Sequence, residues 1–572
     1  MVDADTPWGR RLIICCDGTW QSSTTDKQNV PSNVTKLCRL IARYSEAKTD
    51  QNKHWHQLVY YDGGIGTGDL SEAESIRQGA TGAGLEENII EAYNFIVLNY
   101  EPGDEILCFG FSRGAYTARA VAGLVADIGV LQPLEMQFFH DIYRCYEEYG
   151  LDPNGSKSGV SFRETSAWKK ICNKNIFVEG PPSEASRNIK VVGVWDTVGS
   201  LGVPDILGYN NGNLRKKYGF NNVKLSKHVQ HAYHALALDD RRPSFRPTLW
   251  YIDPERNKES ELKQVWFPGV HINCGGGSDD PFTKMEGDME NISIATFTWM
   301  LQCIAPHVDL DQAGFKFYLK QYQNWLKKLR FDCTILHPQE AGGVLDTIWK
   351  TASWINPFKS EQPSAAAATS SVAKSHTHDK LYFGWGIGPI DDSYTKMYFA
   401  NGAPRPRRPG REEMEIEGKW SPIKGDASRP TGFLTNEYIH PLVQHRIETV
   451  GWAKWIKWAD LARPSPFPLE GWKRKLYTEE DGKTRYYWYS SDGEICLPEW
   501  CVLPDTPNEI NYERAWYMAA LDMGKEASSE GLKAADVVKA AGGKDFLKRL
   551  DGEIKWRSDM KPGNTWTPAK KS

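Results

Sequence analysis

The sequence predicts an α/β fold: a mainly parallel sheet with flanking helices, a helical cap and a mixed C-terminal region. Three observations lead there. Five short β-rich apolar runs lie in the first half of the chain: Arg11–Cys16, Gln57–Tyr61, Glu105–Phe109, Ile189–Trp195 and Gln264–Val270. No tight hairpin turns join them, so they need crossover connections, and crossovers make parallel pairs. Between the second and third runs, Ile89, Ile90, Tyr93, Ile96 and Val97 recur at helical spacing over Leu85–Tyr100, which predicts a core-facing helix.

Composition narrows the class further. The 572 residues exceed what one compact core holds, and 40% hydrophobic with 25% charged residues excludes wholesale disorder. Lys and Arg number 69 against 73 Asp and Glu, a net charge of −4. That balance excludes a chain built to grip phosphate backbones, so no nucleic-acid partner is expected. The eleven cysteines are an odd count, and Cys15, Cys16 and Cys108 sit in apolar runs, so they read as reduced, buried thiols. The acidic start Met1-Val2-Asp3-Ala4-Asp5-Thr6 lacks the pattern of a signal peptide, and no run of 18 apolar residues occurs. The expectation is a cytoplasmic location. The most apolar stretch, Ile292 to Ala305, is broken by Thr296, Thr298 and Gln302 and suits a buried helix.

Along the chain, residues 1–355 read as a catalytic domain with cap insertions, Leu134–Tyr149 being the helical candidate for the cap. Residues 356–380 are small, polar and unpatterned, as in a disordered loop. Residues 381–450, with the irregular Ala403–Gly410 inside them, are expected to pack back on the catalytic domain. Residues 451–572 are tryptophan-rich, with a β-meander turning at Asp481-Gly482 and Asp492-Gly493, then helices near Asn508–Met523 and Gly531–Leu550.

The strongest chemical signal is Gly110-Phe-Ser112-Arg-Gly114, placed directly after a β-run and before a helix of small residues. In that context G-x-S-x-G is the nucleophile elbow, whose glycines allow a cramped turn that exposes the serine hydroxyl. An ordinary turn is the alternative. A serine needs a base, and the base an orienting acid. Asp196 follows the run ending at Trp195, and His271 follows the run ending at Val270, in the order the elbow requires. Separately, each has a bland alternative: a capping aspartate and a core histidine. The first run ends in Asp17-Gly18-Thr19, a loop suited to one backbone donor of an oxyanion hole. Gly18 or Thr19 fills that role and Arg113, after the serine, the other. Asp17 orients the loop, binds a cation or supports the serine; a phosphotransferase aspartate is the weaker alternative.

The blocks CDGTW, VYYDGGIGTG, GDEILCFGFSRGAYTARAVAGL, VVGVWDTVGSLG, HALALDDRRPSFRPTLW and WFPGVHINCGGG resemble, in order, an α/β-hydrolase family. It comprises uncharacterised fungal and bacterial proteins and the catalytic domain of type VI secretion phospholipase effectors. The resemblance spans about residues 10–280, with a fainter echo at Tyr438–Arg446. It implies an α/β-hydrolase-like fold and a lipid or carboxylic-ester hydrolase with Ser112 as nucleophile. One departure is His271-Ile272-Asn273, where relatives carry a serine and an aspartate after the histidine.

Other signals stay bland. Gly63–Gly68 does not spell a dinucleotide loop; His54/His56 and His376/His378 lack a third ligand; Asp279-Asp280 reads as a solvated turn, with cation binding the minor alternative. Trp452, Trp455 and Trp458 read as core packing, with peripheral membrane contact the alternative. His440, before Pro441, competes with His271 as base but reads as a substrate-binding or supporting residue. The expectation is a serine hydrolase of carboxylic, lipid-like esters acting through Ser112, His271 and Asp196 and an acyl-enzyme, with no cofactor and no metal. A non-catalytic scaffold of the same fold, binding a partner or ligand, is the rival. Oligomeric state and acyl and alcohol specificity stay open.

Overall fold

The strands form where apolar residues alternate between two buried faces. The computed structural model describes residues 8–18, 31–45, 54–64, 85–151, 161–174, 176–198, 224–252, 257–277, 290–335, 385–386, 388, 390–394, 403–411, 413–416, 419–422, 435–449, 468–478, 484–502 and 510–529. Six strands come from the first half of the chain: β1 (Trp8–Cys16), β2 (His54–Asp62), β3 (Glu105–Phe111), β4 (Ile189–Trp195), β5 (Val229–Ala237) and β6 (Glu261–Phe267). Leu12, Ile14 and Cys16 of β1 turn to one face and join α2 (Leu85–Asn99) and α3 (Ser112–Ile128). Ile13 and Cys15 turn to the other and join α1 (Asn33–Leu40), α7 (Asn291–Ile304) and the start of α8 (Gln312–Ile335). Each such aliphatic side chain contributes about 1.5–3 kcal/mol on full burial, and burial on both faces is what a parallel sheet needs.

The expectation of five strands is corrected to six. Val229–Ala237 was passed over because Gln230, His231 and His234 interrupt its apolar pattern. Its buried polar groups are paired inside the sheet: His234 Nδ1 lies 3.1 Å from Gln264 Oε1, and its Nε2 accepts the Thr197 N–H at 3.1 Å. The histidine strand is therefore next but one to the aspartate strand, with β5 between them.

The sheet order is β2-β1-β3-β4-β5-β6-β9, every pair parallel. Its seventh strand, β9 (Glu437–Ile439), returns from far down the chain; β7 (Glu413–Ile416) and β8 (Lys419–Pro422) form a hairpin before it. Three side-chain bonds pin β9 to β6. Trp266 Nε1 donates to Glu437 Oε1 at 2.8 Å, Gln264 Nε2 donates to the Thr435 carbonyl at 2.6 Å, and Asn436 donates to the Leu262 carbonyl.

The helical Leu134–Tyr149 stretch lies outside the sheet, as a short turn at Pro133–Phe138 and α4 (Phe139–Leu151). Phe139 stacks on Tyr93 of α2, and Tyr146 donates to Asp127 near the end of α3 at 2.9 Å. That end is about 25 Å from Ser112, the length of a 17-residue helix. A short α5 (Ser166–Cys172) packs beside it. After β9 come α9 (Leu442–Thr449), an antiparallel sheet of β10 (Lys473–Thr478), β11 (Thr484–Tyr489) and β12 (Cys496–Pro498), and α10 (Tyr512–Ser529). The turn at Asp492-Gly493 uses Gly493 at φ 74°. Trp516 of α10 is fully buried with Tyr322 and Leu442.

Cys15, Cys16, Cys38, Cys108, Cys145, Cys172, Cys274, Cys303, Cys496 and Cys501 are free thiols. No single helix among the described residues is long and apolar enough to cross a membrane. The loop expected at 356–380, the turn at Asp481-Gly482, the helix at Gly531–Leu550, the tryptophans at 452, 455 and 458, Asp279-Asp280, His376/His378 and most of Gly63–Gly68 lie outside the described residues.

Candidate active site

Strand β3 runs straight into α3, and the residue at the junction is Ser112. Its φ of 59° is in the left-handed region, which a non-glycine residue enters at a cost of about 1–3 kcal/mol. The neighbouring glycines make that turn fit. A Cβ on Gly110 would lie 2.3 Å from the Gly114 carbonyl oxygen. One on Gly114 would lie 2.2 Å from the Cys16 carbonyl oxygen and 2.3 Å from that of Asp17. The first turn of α3 is thus seated on the end of β1, with the helix N-terminus directed at the serine.

Asp196 follows β4 at φ 40°, and His271 opens α6 (His271–Gly275) just beyond β6. The two meet Ser112 at the carboxyl ends of the strands, where open α/β sheets place their sites. His271 Nε2 lies 2.7 Å from Ser112 Oγ, and its Nδ1 lies 2.6 Å from Asp196 Oδ2. With Nδ1–H donating to the carboxylate, Nε2 is left to accept the serine hydroxyl proton. Phe111 and Phe245 hold the imidazole, their ring centres 4.8 and 4.9 Å away. The His271 N–H donates to Asp240 Oδ2 at 3.2 Å, and Asn273 Oδ1 accepts the Val270 N–H at 3.0 Å. Asn273 thus holds the turn that presents His271.

Electrostatics suit a base. Burial pushes the His271 pKa below its ordinary value, outweighing the hydrogen bond it donates to Asp196, which raises it, so the ring is neutral near pH 7. Burial alone would raise the Asp196 carboxyl, but the Arg407 guanidinium and His271 outweigh it and hold the acid well below the usual carboxylate range.

Arg407 is the residue that sequence reasoning missed. Its Nη1 donates to Asp196 Oδ1 at 2.5 Å and to the Ala237 carbonyl, and its Nη2 to Asp196 Oδ2 at 2.9 Å and the Phe245 carbonyl at 2.7 Å. Nothing local marks it: it lies in APRPRRPG beside Arg405 and Arg408, 211 residues from its partner.

The remaining expected residues divide. Asp17 is buried and held by protein donors. Its Oδ2 accepts from Ser32 at 2.6 Å and from Thr35 and Tyr61 at 2.8 Å, and Oδ1 accepts the Gly18 N–H at 2.8 Å. Burial raises its pKa against these four bonds. It organises the end of β1. Gly18 is the last described residue of this loop, and its N–H donates to Asp17. Thr19 lies outside the described residues. Arg113 is in the first turn of α3, directly after Ser112. His440 is not brought to Ser112. Its Nδ1 accepts the Leu442 N–H at 3.1 Å at the start of α9, and its Nε2 lies 3.1 Å from Glu513 of α10. It is stacked on Phe267, 4.3 Å between ring centres.

The model of the family described as "T6SS, Phospholipase effector Tle1-like, catalytic domain" matches residues 10–303. The "Uncharacterized protein YEL023C" of Saccharomyces cerevisiae is 26% identical over 250 residues, covering 42% of this chain and 32% of that protein. Among solved structures, a Tle1 effector bound to the VgrG spike of the type 6 secretion system is 20% identical, with a TM-score of 0.25, covering 48% of this chain and 52% of that one. An uncharacterized Pseudomonas aeruginosa protein is 14% identical, with a TM-score of 0.26, covering 52% and 45%. The chain thus spans about a third of the length of the curated relative and about half of the solved ones.

Proposed function

The chain belongs to the family of T6SS Tle1-like phospholipase effector catalytic domains, and from that membership we propose that it is a serine hydrolase of lipid-type carboxylic esters. Membership supports a lipase- or phospholipase-type hydrolase. The observation that carries the serine mechanism is His271 bridging Ser112 Oγ at 2.7 Å and Asp196 Oδ2 at 2.6 Å.

On this reading Ser112 Oγ attacks the ester carbonyl carbon while His271 Nε2 takes its proton. The imidazolium so formed is stabilised by Asp196, which stays ionised. The carbonyl oxygen becomes an oxyanion facing the Arg113 N–H at the start of α3 and a second donor from the loop after β1. When the tetrahedral intermediate collapses, His271 returns the proton to the leaving alkoxide and the alcohol departs. Water, deprotonated by His271, then attacks the acyl-serine, and the same steps in reverse order release the acid and restore Ser112. The phenylalanines packed on the imidazole keep it nearly buried.

The test is labelling with a fluorophosphonate probe, followed by turnover of p-nitrophenyl esters of graded chain length and of phosphatidylcholine vesicles. Covalent labelling at Ser112, lost in Ser112→Ala, and a preference for long acyl chains are expected. An unlabelled serine and no turnover would leave the non-catalytic scaffold as the reading.

A further inference from the structure

We infer that Arg407, supplied by a stretch of chain beyond the family-matched residues 10–303, is a positioning residue of this active site: it fixes the Asp196 carboxylate facing His271 and provides its counter-charge. The inference rests on the serine-hydrolase reading and adds to it a part of the molecule that the family match does not cover.

Asp196 has no exposure to solvent, and its side chain keeps four protein donors. Ala237 N–H gives one bond to Oδ1 at 3.0 Å, His271 gives one to Oδ2, and Arg407 supplies one to each oxygen. Half of the carboxylate's hydrogen bonding and its one directly bonded permanent cation therefore come from a single side chain. A buried carboxylate stripped of its paired cation is expensive to keep charged. It would take up a proton or turn away, and an acid that is neutral or misdirected cannot stabilise the imidazolium. The two-pronged contact also sets the plane of the carboxylate, which a lysine's single ammonium cannot do.

The stretch that carries Arg407 is itself tied to the frame of the site. Arg405 N–H donates to the Arg241 carbonyl at 2.8 Å, Arg246 Nη1 donates to the Pro406 carbonyl at 3.1 Å, and Gly410 N–H donates to Glu437 Oε1 at 3.0 Å. Two of these anchors lie on the loop after β5, which also presents Phe245 to the His271 ring; the third is on β9. Residues 403–410 thus run as a strap from that loop to the last strand of the sheet. The guanidinium is its innermost group, and its side chain is as fully buried as Asp196.

The other charged or titratable groups around the pair do not duplicate Arg407. Arg242 is taken by Asp240, its Nη2 2.6 Å from Oδ2, and Asp240 also receives the His271 N–H. His234 on β5 is held neutral, its pKa pushed down to about 3 by burial and then by Arg119. The Cys274 thiol of α6 is pushed up by burial and stays protonated. Among the described residues, only Arg407 opposes the burial of Asp196 with a permanent charge in contact.

The experiment follows the fluorophosphonate labelling rate and ester turnover of the full chain across pH, for wild type, Arg407→Ala and Arg407→Lys, with and without added guanidinium. Near-ultraviolet circular dichroism checks the fold. Folded Arg407→Ala is expected to label roughly 100-fold more slowly, with the acid limb of its profile moved to higher pH, because Asp196 loses the cation that keeps it ionised. About 50 mM guanidinium should restore roughly tenfold by entering the vacated space. Arg407→Lys should fold, keep its acid limb near the wild-type position and lose about tenfold. A wild-type rate in folded Arg407→Ala overturns the inference. So does a slow variant with an unmoved acid limb and no response to guanidinium, which is what a merely structural residue would give. Should Arg407→Ala not fold, an Arg407→Lys rate within twofold of wild type overturns it. Absence of labelling in the wild type strikes instead at the serine-hydrolase reading.

Discussion

Ser112 at φ 59° sits in a backbone conformation that a glycine adopts without strain. Ser112→Gly is therefore expected to be inactive yet more stable than the wild type, by about 0.5–1 kcal/mol in a urea melt. A loss of stability would show that the serine is not strained. Ser112→Ala and His271→Ala should each lower turnover by ~10⁴-fold or more, and the double variant should be hardly worse, because members of one hydrogen-bonded chain act as a unit. Additive losses in the double variant would contradict that. The pH profile follows from the direction of the His271 shift. The base works when neutral, and burial keeps its folded pKa below the ordinary value of ~6.5. Activity should hold as pH falls through 6.5 and be lost only when it passes the lowered pKa. An acid limb in kcat/KM above pH 7 would be inconsistent with this geometry.

At the level of elements, the histidine that opens α6 and the one that precedes α9 have separate tasks. His440 bonds the Leu442 N–H and Glu513 and stacks on Phe267, so it joins β9, α9 and α10. His440→Ala should keep kcat within a few-fold while costing about 1–3 kcal/mol of stability, the penalty for leaving buried partners unpaired. Stopped assays alongside a denaturant melt separate the two effects, and a 10³-fold loss in kcat would reverse the roles assigned to the two histidines. The same contrast explains what could be read from the residues alone. The strained turn at Ser112 was legible because its determinants are local: β3, two glycines that a Cβ would drive into backbone, and α3 all fall within residues 105–128. Asp196 and His271 were legible for the same reason, each ending an apolar run. Strand β5 was not, since His234 and Gln264 satisfy each other across neighbouring strands and leave no alternation to see. Arg407 was not, because a prolyl segment rich in arginine looks solvated until the fold presents a carboxylate to it.

For the whole molecule, the family-matched residues 10–303 hold six of the seven strands of the sheet but not β9, which covers the free edge of β6. Nor do they hold α10, whose Tyr512 N–H bonds Gln302 of α7 at 2.9 Å. A chain truncated after residue 303 is expected to be recovered as aggregate, because an exposed apolar edge strand templates pairing with other chains. A soluble, monomeric fragment by sedimentation would show that the later elements are dispensable. The late arrival of β9 also has a consequence in time. About 170 residues separate the end of β6 from the start of its partner strand. At a synthesis rate of about 5–20 residues per second, β6 leaves the ribosome roughly ten to thirty seconds before the strand that closes it. For that interval the nascent chain has the Ser112 and His271 segments made but the partner of β6 missing, at the stage when encounters with other polypeptides are most damaging. Synonymous changes that slow translation between residues 304 and 436 should lower the soluble yield of a chain whose finished form is unchanged.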